Sequence, residues 1–157
     1  MKEVEKIDNL RFKRRSVLKA SALGVGALVS PGVALATPAG VEKSIASLFG
    51  GRVPEAGRVT VKIPPITENG TSVAFMVNVE SPMTLEDHVV RIAVFAEENP
   101  VPDIARFELG PRAGIARVES RIRMNGSQRI RAVAEMNDGS LWSGYAFSIV
   151  TLAACLL

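Results

Sequence analysis

The sequence predicts an all-β fold, an immunoglobulin-like sandwich of about seven strands preceded by one short N-terminal helix. Three observations lead there. Between Val59 and Leu152, apolar residues recur with period two in seven short segments. Turn-forming residues separate those segments at regular intervals. One stretch alone, Val41, Ile45, Leu48 and Phe49, has helical spacing, and Gly50-Gly51 stops it.

Taken in order, residues 37–54 are the helix and a connector that ends at Pro54, and residues 55–152 are the sandwich. Val59, Val61 and Ile63 alternate up to the Pro64-Pro65 break, and Val73, Phe75, Val77 and Val79 alternate after a turn at Asn69-Gly70. Val90, Ile92 and Val94 make the third strand, closed by Asn99-Pro100, and Ile104 to Leu109 the fourth. Val118, Ser120, Ile122 and Met124 form the fifth; Ile130, Ala132, Ala134 and Met136 form the sixth. Asp138-Gly139 is a strong hairpin signal before a long seventh strand, Leu141 to Leu152. Residues 153–157 are a short tail.

Composition limits what such a domain does. The 157 residues include 19 Lys+Arg and 16 Asp+Glu, a formal net charge of +3, with 47% hydrophobic and 5% aromatic residues. The positive charge invites a nucleic-acid reading, but it is concentrated at the N-terminus. Residues 1–36 hold seven basic residues before Ala20, then an uncharged run rich in Ala, Gly, Leu and Val, then Ala34-Leu35-Ala36. That order reads as an export signal with a small-residue cleavage site, with an uncleaved anchor as the alternative; the apolar run is too short to span a bilayer, and no stable membrane anchor is expected. Lys13-Arg14-Arg15-Ser16-Val17-Leu18-Lys19 resembles the twin-arginine export motif, which implies a periplasmic destination for a chain already folded. Without the leader, 12 basic and 13 acidic residues remain, a net charge of −1, and no nucleic acid is expected as a partner.

The seventh strand is unusual because it is apolar on both faces. Trp142, Ala146, Val150 and Leu152 lie on one side, and Tyr145, Phe147 and Ile149 on the other. A strand with one solvated face should be polar there, so something covers the second side. Two covers fit the pattern, the N-terminal helix or a partner subunit, and the partner is either a second copy or a different chain.

Arginines cluster around Asn125-Gly126, with Arg117, Arg121 and Arg123 before it and Arg129 and Arg131 after it. Read as a hairpin, this register sets Arg123 opposite Arg129 and Arg121 opposite Arg131. Like charges across a ladder repel, so either an anion or acidic partner relieves them, or Glu119 and Glu135 do so locally. His88 is the only histidine, and with Glu86 and Asp87 it reads as a solvated turn rather than a metal site; no cofactor is expected. The single cysteine, Cys155, excludes an internal disulfide and sits third from the end. An unpaired cysteine in an exported chain suggests an intermolecular bond or a reactive thiol. Extended chain from Val150 gives it a reach of about 17 Å.

These features together resemble the sulfur-oxidation carrier family SoxY. The residues that carry the resemblance are Val77-Asn78-Val79-Glu80-Ser81-Pro82-Met83-Thr84, Val94-Phe95-Ala96-Glu97-Glu98-Asn99-Pro100-Val101-Pro102-Asp103, and Ala132-Val133-Ala134-Glu135-Met136-Asn137-Asp138-Gly139-Ser140-Leu141-Trp142, with the leader and Cys155. The resemblance implies an immunoglobulin-like fold, a heterodimer with a SoxZ-like subunit, and covalent attachment of sulfur intermediates derived from thiosulfate to Cys155. It implies a carrier rather than an enzyme, presenting those intermediates to periplasmic Sox enzymes. Where the family tail reads Gly-Gly-Cys-Gly-Gly, this one is Ala153-Ala154-Cys155-Leu156-Leu157, stiffer and more apolar. That difference leaves a second expectation, a divergent binding subunit whose tail no longer swings.

Overall fold

The computed structural model describes residues 37–153; the expected export leader, residues 1–36, and Cys155 lie outside the described residues. Helix α1 spans Pro38–Leu48. Thr37 caps it, its side chain accepting a 3.1 Å bond from Gly40 N–H, and Pro38 occupies the first turn, where its missing N–H costs nothing. At the other end Gly50 takes a left-handed φ of 64° and Gly51 N–H closes back on Ala46 O at 2.7 Å, so the Gly-Gly pair ends the helix as its chemistry requires.

Nine strands follow: β1 (Glu55–Ala56), β2 (Val59–Lys62), β3 (Ile66–Thr67), β4 (Val73–Val79), β5 (Val89–Ala96), β6 (Asp103–Glu108), β7 (Arg117–Ile122), β8 (Gln128–Met136) and β9 (Leu141–Val150). All seven expected strands are present. The larger sheet runs β1-β9-β8-β5-β6 with β3 also on β9, and the smaller runs β2-β4-β7. The two additional strands, β1 and β3, are two residues each and pair parallel with the two ends of β9. Between them the chain leaves the larger sheet, runs as β2 in the smaller one, and returns. Gly57 and Arg58, both at positive φ, make the first bend. Pro64 and Pro65 make the second, and although they lack N–H groups their carbonyls accept from Ser148 Oγ at 2.7 Å and Ile149 N at 2.9 Å.

Two apolar cores result. The first fills the space between the sheets and includes Phe75, Val77, Ile92, Val94, Met124, Ile130 and Ala134. The second lies on the outer side of the larger sheet, where Val41, Ile45 and Phe49 of α1 pack on Ala93, Phe95, Val133 and Leu141. Each large side chain buried there contributes roughly 1.5–3 kcal/mol of transfer free energy. The helix therefore explains why β5 is apolar on both faces.

The expected hairpin around Asn125-Gly126 is not a hairpin. β7 pairs with β4 in the smaller sheet, and β8 pairs with β5 and β9 in the larger one. Residues 123–127 cross from one sheet to the other, held by a buried polar knot. Asn99 Nδ2 donates to Arg123 O at 2.9 Å, and Asn99 Oδ1 accepts from Asn125 N at 3.0 Å and from Gln128 Nε2 at 2.9 Å. Gln128 Oε1 in turn accepts from Glu98 N at 2.9 Å. Asn99 and Gln128 are buried, and the four bonds satisfy the amides where unpaired polar groups would be costly.

Candidate functional site: an apolar face beside the root of the cysteine tail

The odd-numbered residues of β9 point to the outer side of the larger sheet, the side that α1 occupies. The helix covers Leu141 and stops short of the rest. Tyr145, Phe147 and Ile149 stand 67%, 55% and 45% exposed in a row down the strand. Ile66, paired in parallel register with Ile149 and 61% exposed, extends the row across the sheet edge. Of the two covers expected for this face, the helix accounts for one half of it and the other half is open.

Charged residues frame the open half. Arg131 lies opposite Tyr145 on β8, and its guanidinium pairs with Glu42 of α1, tying the helix to the sheet at the border of the patch. Arg129 lies opposite Phe147; its guanidinium sits 4.8 Å from the centre of the Tyr145 ring and 3.7 Å from Glu97. The stacked cation holds the phenol ring in place and leaves its other face to solvent. Apolar centre, one aromatic pair and a charged rim are the composition of a protein–protein contact surface.

The chain that leads to Cys155 leaves the fold at the same end of the molecule. Val150 N–H donates to Ser127 Oγ at 2.9 Å, Thr151 N–H to Thr67 O at 3.1 Å, and Thr151 Oγ1 to Glu68 O at 3.1 Å. Gly70 N–H donates to Leu152 O at 2.8 Å, the last of these anchors. The reach expected for the tail is thereby shortened. Cys155 is three residues beyond Leu152, so the backbone spans at most about 10 Å rather than about 17 Å.

The four arginines do not converge. Arg121 and Arg123 belong to the smaller sheet and its exit, Arg129 and Arg131 to the larger one, so the expected cross-strand pairs Arg123–Arg129 and Arg121–Arg131 do not form. Alternation identifies which face is inward, and both sheets share that inward side. His88 opens β5 from a loop, with its backbone N–H on Asn137 Oδ1 at 3.1 Å and its Nδ1 buried without a partner. Among the described residues no three His, Cys, Asp or Glu side chains gather as a metal site. Ile66 was not legible as part of the patch: a two-residue strand after Pro64-Pro65 has no periodicity to reveal it.

A family model described as sulfur oxidation protein SoxY matches residues 45–155. The chain belongs to the SoxY family. The match takes in every strand of the sandwich and ends on Cys155, so this SoxY-family chain is a sulfur-oxidation protein by descent and its tail cysteine lies inside the shared region. No curated protein matches it in sequence. Among solved structures, a putative superoxide reductase from Thermotoga maritima superposes with a TM-score of 0.53 at 21% identity, covering 62% of this chain and 93% of that one. The superoxide reductase (neelaredoxin) from Ignicoccus hospitalis gives 0.53 at 18%, covering 74% and 94%. These likenesses are of fold alone, an immunoglobulin-like sandwich.

Proposed function

We propose that this SoxY-family chain is a periplasmic carrier that holds sulfur intermediates of thiosulfate oxidation covalently on Cys155 and presents them to Sox enzymes. The observation that carries this reading is the family match, which runs through the sandwich and reaches Cys155. The root of the tail is pinned at Leu152, which suits a short presenting arm.

Loading is a two-electron step. A Cys155 thiolate and thiosulfate form one S–S bond, giving a cysteine-bound thiosulfonate, while two electrons pass to an electron-accepting partner enzyme. Hydrolysis of the terminal sulfonate releases sulfate and leaves a persulfide for the next enzyme. The thiol must be ionised to react, so its neighbours on the partner matter. A SoxZ-like subunit seated on Tyr145, Phe147, Ile149 and Ile66 would lie beside the tail root and complete the heterodimer.

Intact mass spectrometry of the periplasmic protein, with and without thiosulfate and its partner enzymes, tests the carrier. Adducts with the mass of thiosulfate or of added sulfur are expected on the native chain and absent from Cys155→Ser. An unmodified native chain under conditions that oxidise thiosulfate rejects it. The Ala153, Ala154, Leu156 and Leu157 side chains favour a second reading, a non-carrying SoxY relative that anchors a complex through an apolar tail. That reading predicts retained complex formation with no adduct.

A further inference from the structure

The two sheets of the sandwich differ in width. The larger continues to β6, whereas the smaller ends at β7, so the inner side of β6 overhangs. Between β6 and β7 the core opens into a cleft of about 750 Å³, walled by Phe75, Ile104, Phe107 and Ile122. Ser120, an inward position opposite Phe75, is exposed because among the described residues nothing lies over it. One more strand beside β7, at the usual spacing of about 4.8 Å, would roof the overhang.

The free edge of β7 is built to accept it. Val79 N–H donates to Ala116 O at 2.8 Å, and antiparallel bonding alternates from there. Val118, Ser120 and Ile122 thus bond to β4, and Arg117, Glu119 and Arg121 turn their backbone N–H and C=O groups outward. An unpaired edge of this kind templates strand addition. Its charge is one-sided at the far end. Arg121 is oriented by Ser72, with Nε 2.6 Å from Oγ and Nη2 3.0 Å from the carbonyl oxygen. Among the described residues neither Arg121 nor Arg123 has a carboxylate within salt-bridge distance.

We infer that this cleft receives an extended acidic segment of a partner protein, added as a strand along β7 with alternate apolar side chains in the cleft and its carboxylates on Arg121 and Arg123. A second copy of this chain fits worse, because antiparallel pairing of two β7 edges about Glu119 sets Arg117 against Arg121. The surface is separate from the apolar face on β9, three strand spacings or about 14 Å away across the larger sheet. It stands whether or not Cys155 carries sulfur.

The probe is a seven-residue capped peptide alternating valine with glutamate, titrated into the isotope-labelled protein and followed by amide NMR, beside a peptide with lysine in place of glutamate. The acidic peptide is expected to shift the amides of Arg117, Glu119 and Arg121 and slow their exchange. Arg121→Glu with Arg123→Glu should weaken it about tenfold or more. Glu119→Pro should abolish it while leaving the fold intact, since that N–H points away from β4. No binding at millimolar peptide, equal binding of the lysine peptide, unchanged affinity in Glu119→Pro, or shifts confined to Tyr145–Ile149 would each overturn the inference.

Discussion

Truncation of Phe147 to alanine separates contact energy from stability more cleanly than any other change on the β9 face. The ring is 55% exposed in the single chain, and with about 200 Å² for a whole phenylalanine roughly 110 Å² remains for a partner to cover. At about 25 cal/mol per Å², that is close to 3 kcal/mol, or about a hundredfold in dissociation constant. The interaction partner in the assay is the SoxZ-like subunit, with affinity read by calorimetry or biolayer interferometry and the variant's melting curve recorded in parallel. Phe147→Ala should raise Kd by roughly thirty- to a hundredfold while the melting temperature of the isolated chain moves by about 2 °C or less, because the removed atoms make few contacts within the fold. Phe147→Glu, which also sets a carboxylate against the apolar surface, should abolish co-purification. An affinity within twofold of native would refute the assignment of this face to the partner. A large drop in melting temperature would show that the side chain belongs to the chain's own core.

Other perturbations probe the scaffold behind the two surfaces. A Cβ on Gly144 would lie 2.0 Å from Val59 O and 2.9 Å from its carbonyl carbon, so Gly144→Ala must push β2 off β9; a loss of about 3 kcal/mol is expected in urea unfolding, and an unchanged midpoint would contradict the close crossing. Ile45→Ala removes a side chain that is 1% exposed between α1 and the larger sheet, and should cost about 2–5 kcal/mol and raise binding of an apolar dye as the helix loosens from Phe95 and Val133. Asp138 is held below the usual carboxylate range by hydrogen bonds from the Ser140 hydroxyl and then its amide, so the charged form stabilises the β8–β9 turn above the unfolded value near 3.8 and that gain fades as pH falls through the lower folded value. Melting temperature against pH should therefore show a gap between the native chain and Asp138→Asn that closes on acidification; a constant gap would assign the turn's stability to something other than this charge.

Much of the fold was legible because the physics that made it is local. Val73 to Val79 and Ile130 to Met136 announce strands by alternation, Gly50-Gly51 and Asp138-Gly139 announce chain reversals by backbone freedom, and Val41, Ile45 and Phe49 announce a docked helix by spacing. The register of Arg121, Arg123, Arg129 and Arg131 was not legible for the same reason. Ile122 and Ile130 face inward whether their strands share one sheet or face each other across the core, so parity cannot distinguish a hairpin from a crossing. The deciding residues are Asn99 and Gln128, polar positions whose burial becomes visible only when residues 29 apart in sequence meet. β1 and β3 were hidden too: they exist because the outer edge of β9 needs acceptors and donors, not because two residues of sequence prefer extension. The open apolar row of Tyr145, Phe147 and Ile149 was readable because β9 is apolar on both faces, as β5 is, while the helix reaches only Leu141 of its outer face.

The structure also bears on how the proposed carrier would work. Along β9, from Tyr145 to Val150, five residues span about 17 Å, whereas the tail beyond Leu152 has about 10 Å of backbone before Cys155. If a SoxZ-like subunit docks over the apolar row as proposed, that length is too short for the tail to pass beyond it, and a Cys155 adduct would be presented at the rim near the β3–β9 end. The sequence places Leu156 and Leu157 after the cysteine, and two leucines lose more by extending into water than the glycines of the family pattern do. On that proposal, an enzyme acting on a Cys155 adduct would approach that rim, and its channel would have to accept the leucine side chains beyond the cysteine. Exchanging Ala153, Ala154, Leu156 and Leu157 for glycine should consequently raise the rate of adduct turnover by partner enzymes adapted to a glycine tail without changing SoxZ-like subunit affinity. If turnover stays the same with both tails, the enzyme channel does not read the residues around the cysteine, and selectivity must reside in the protein surfaces instead.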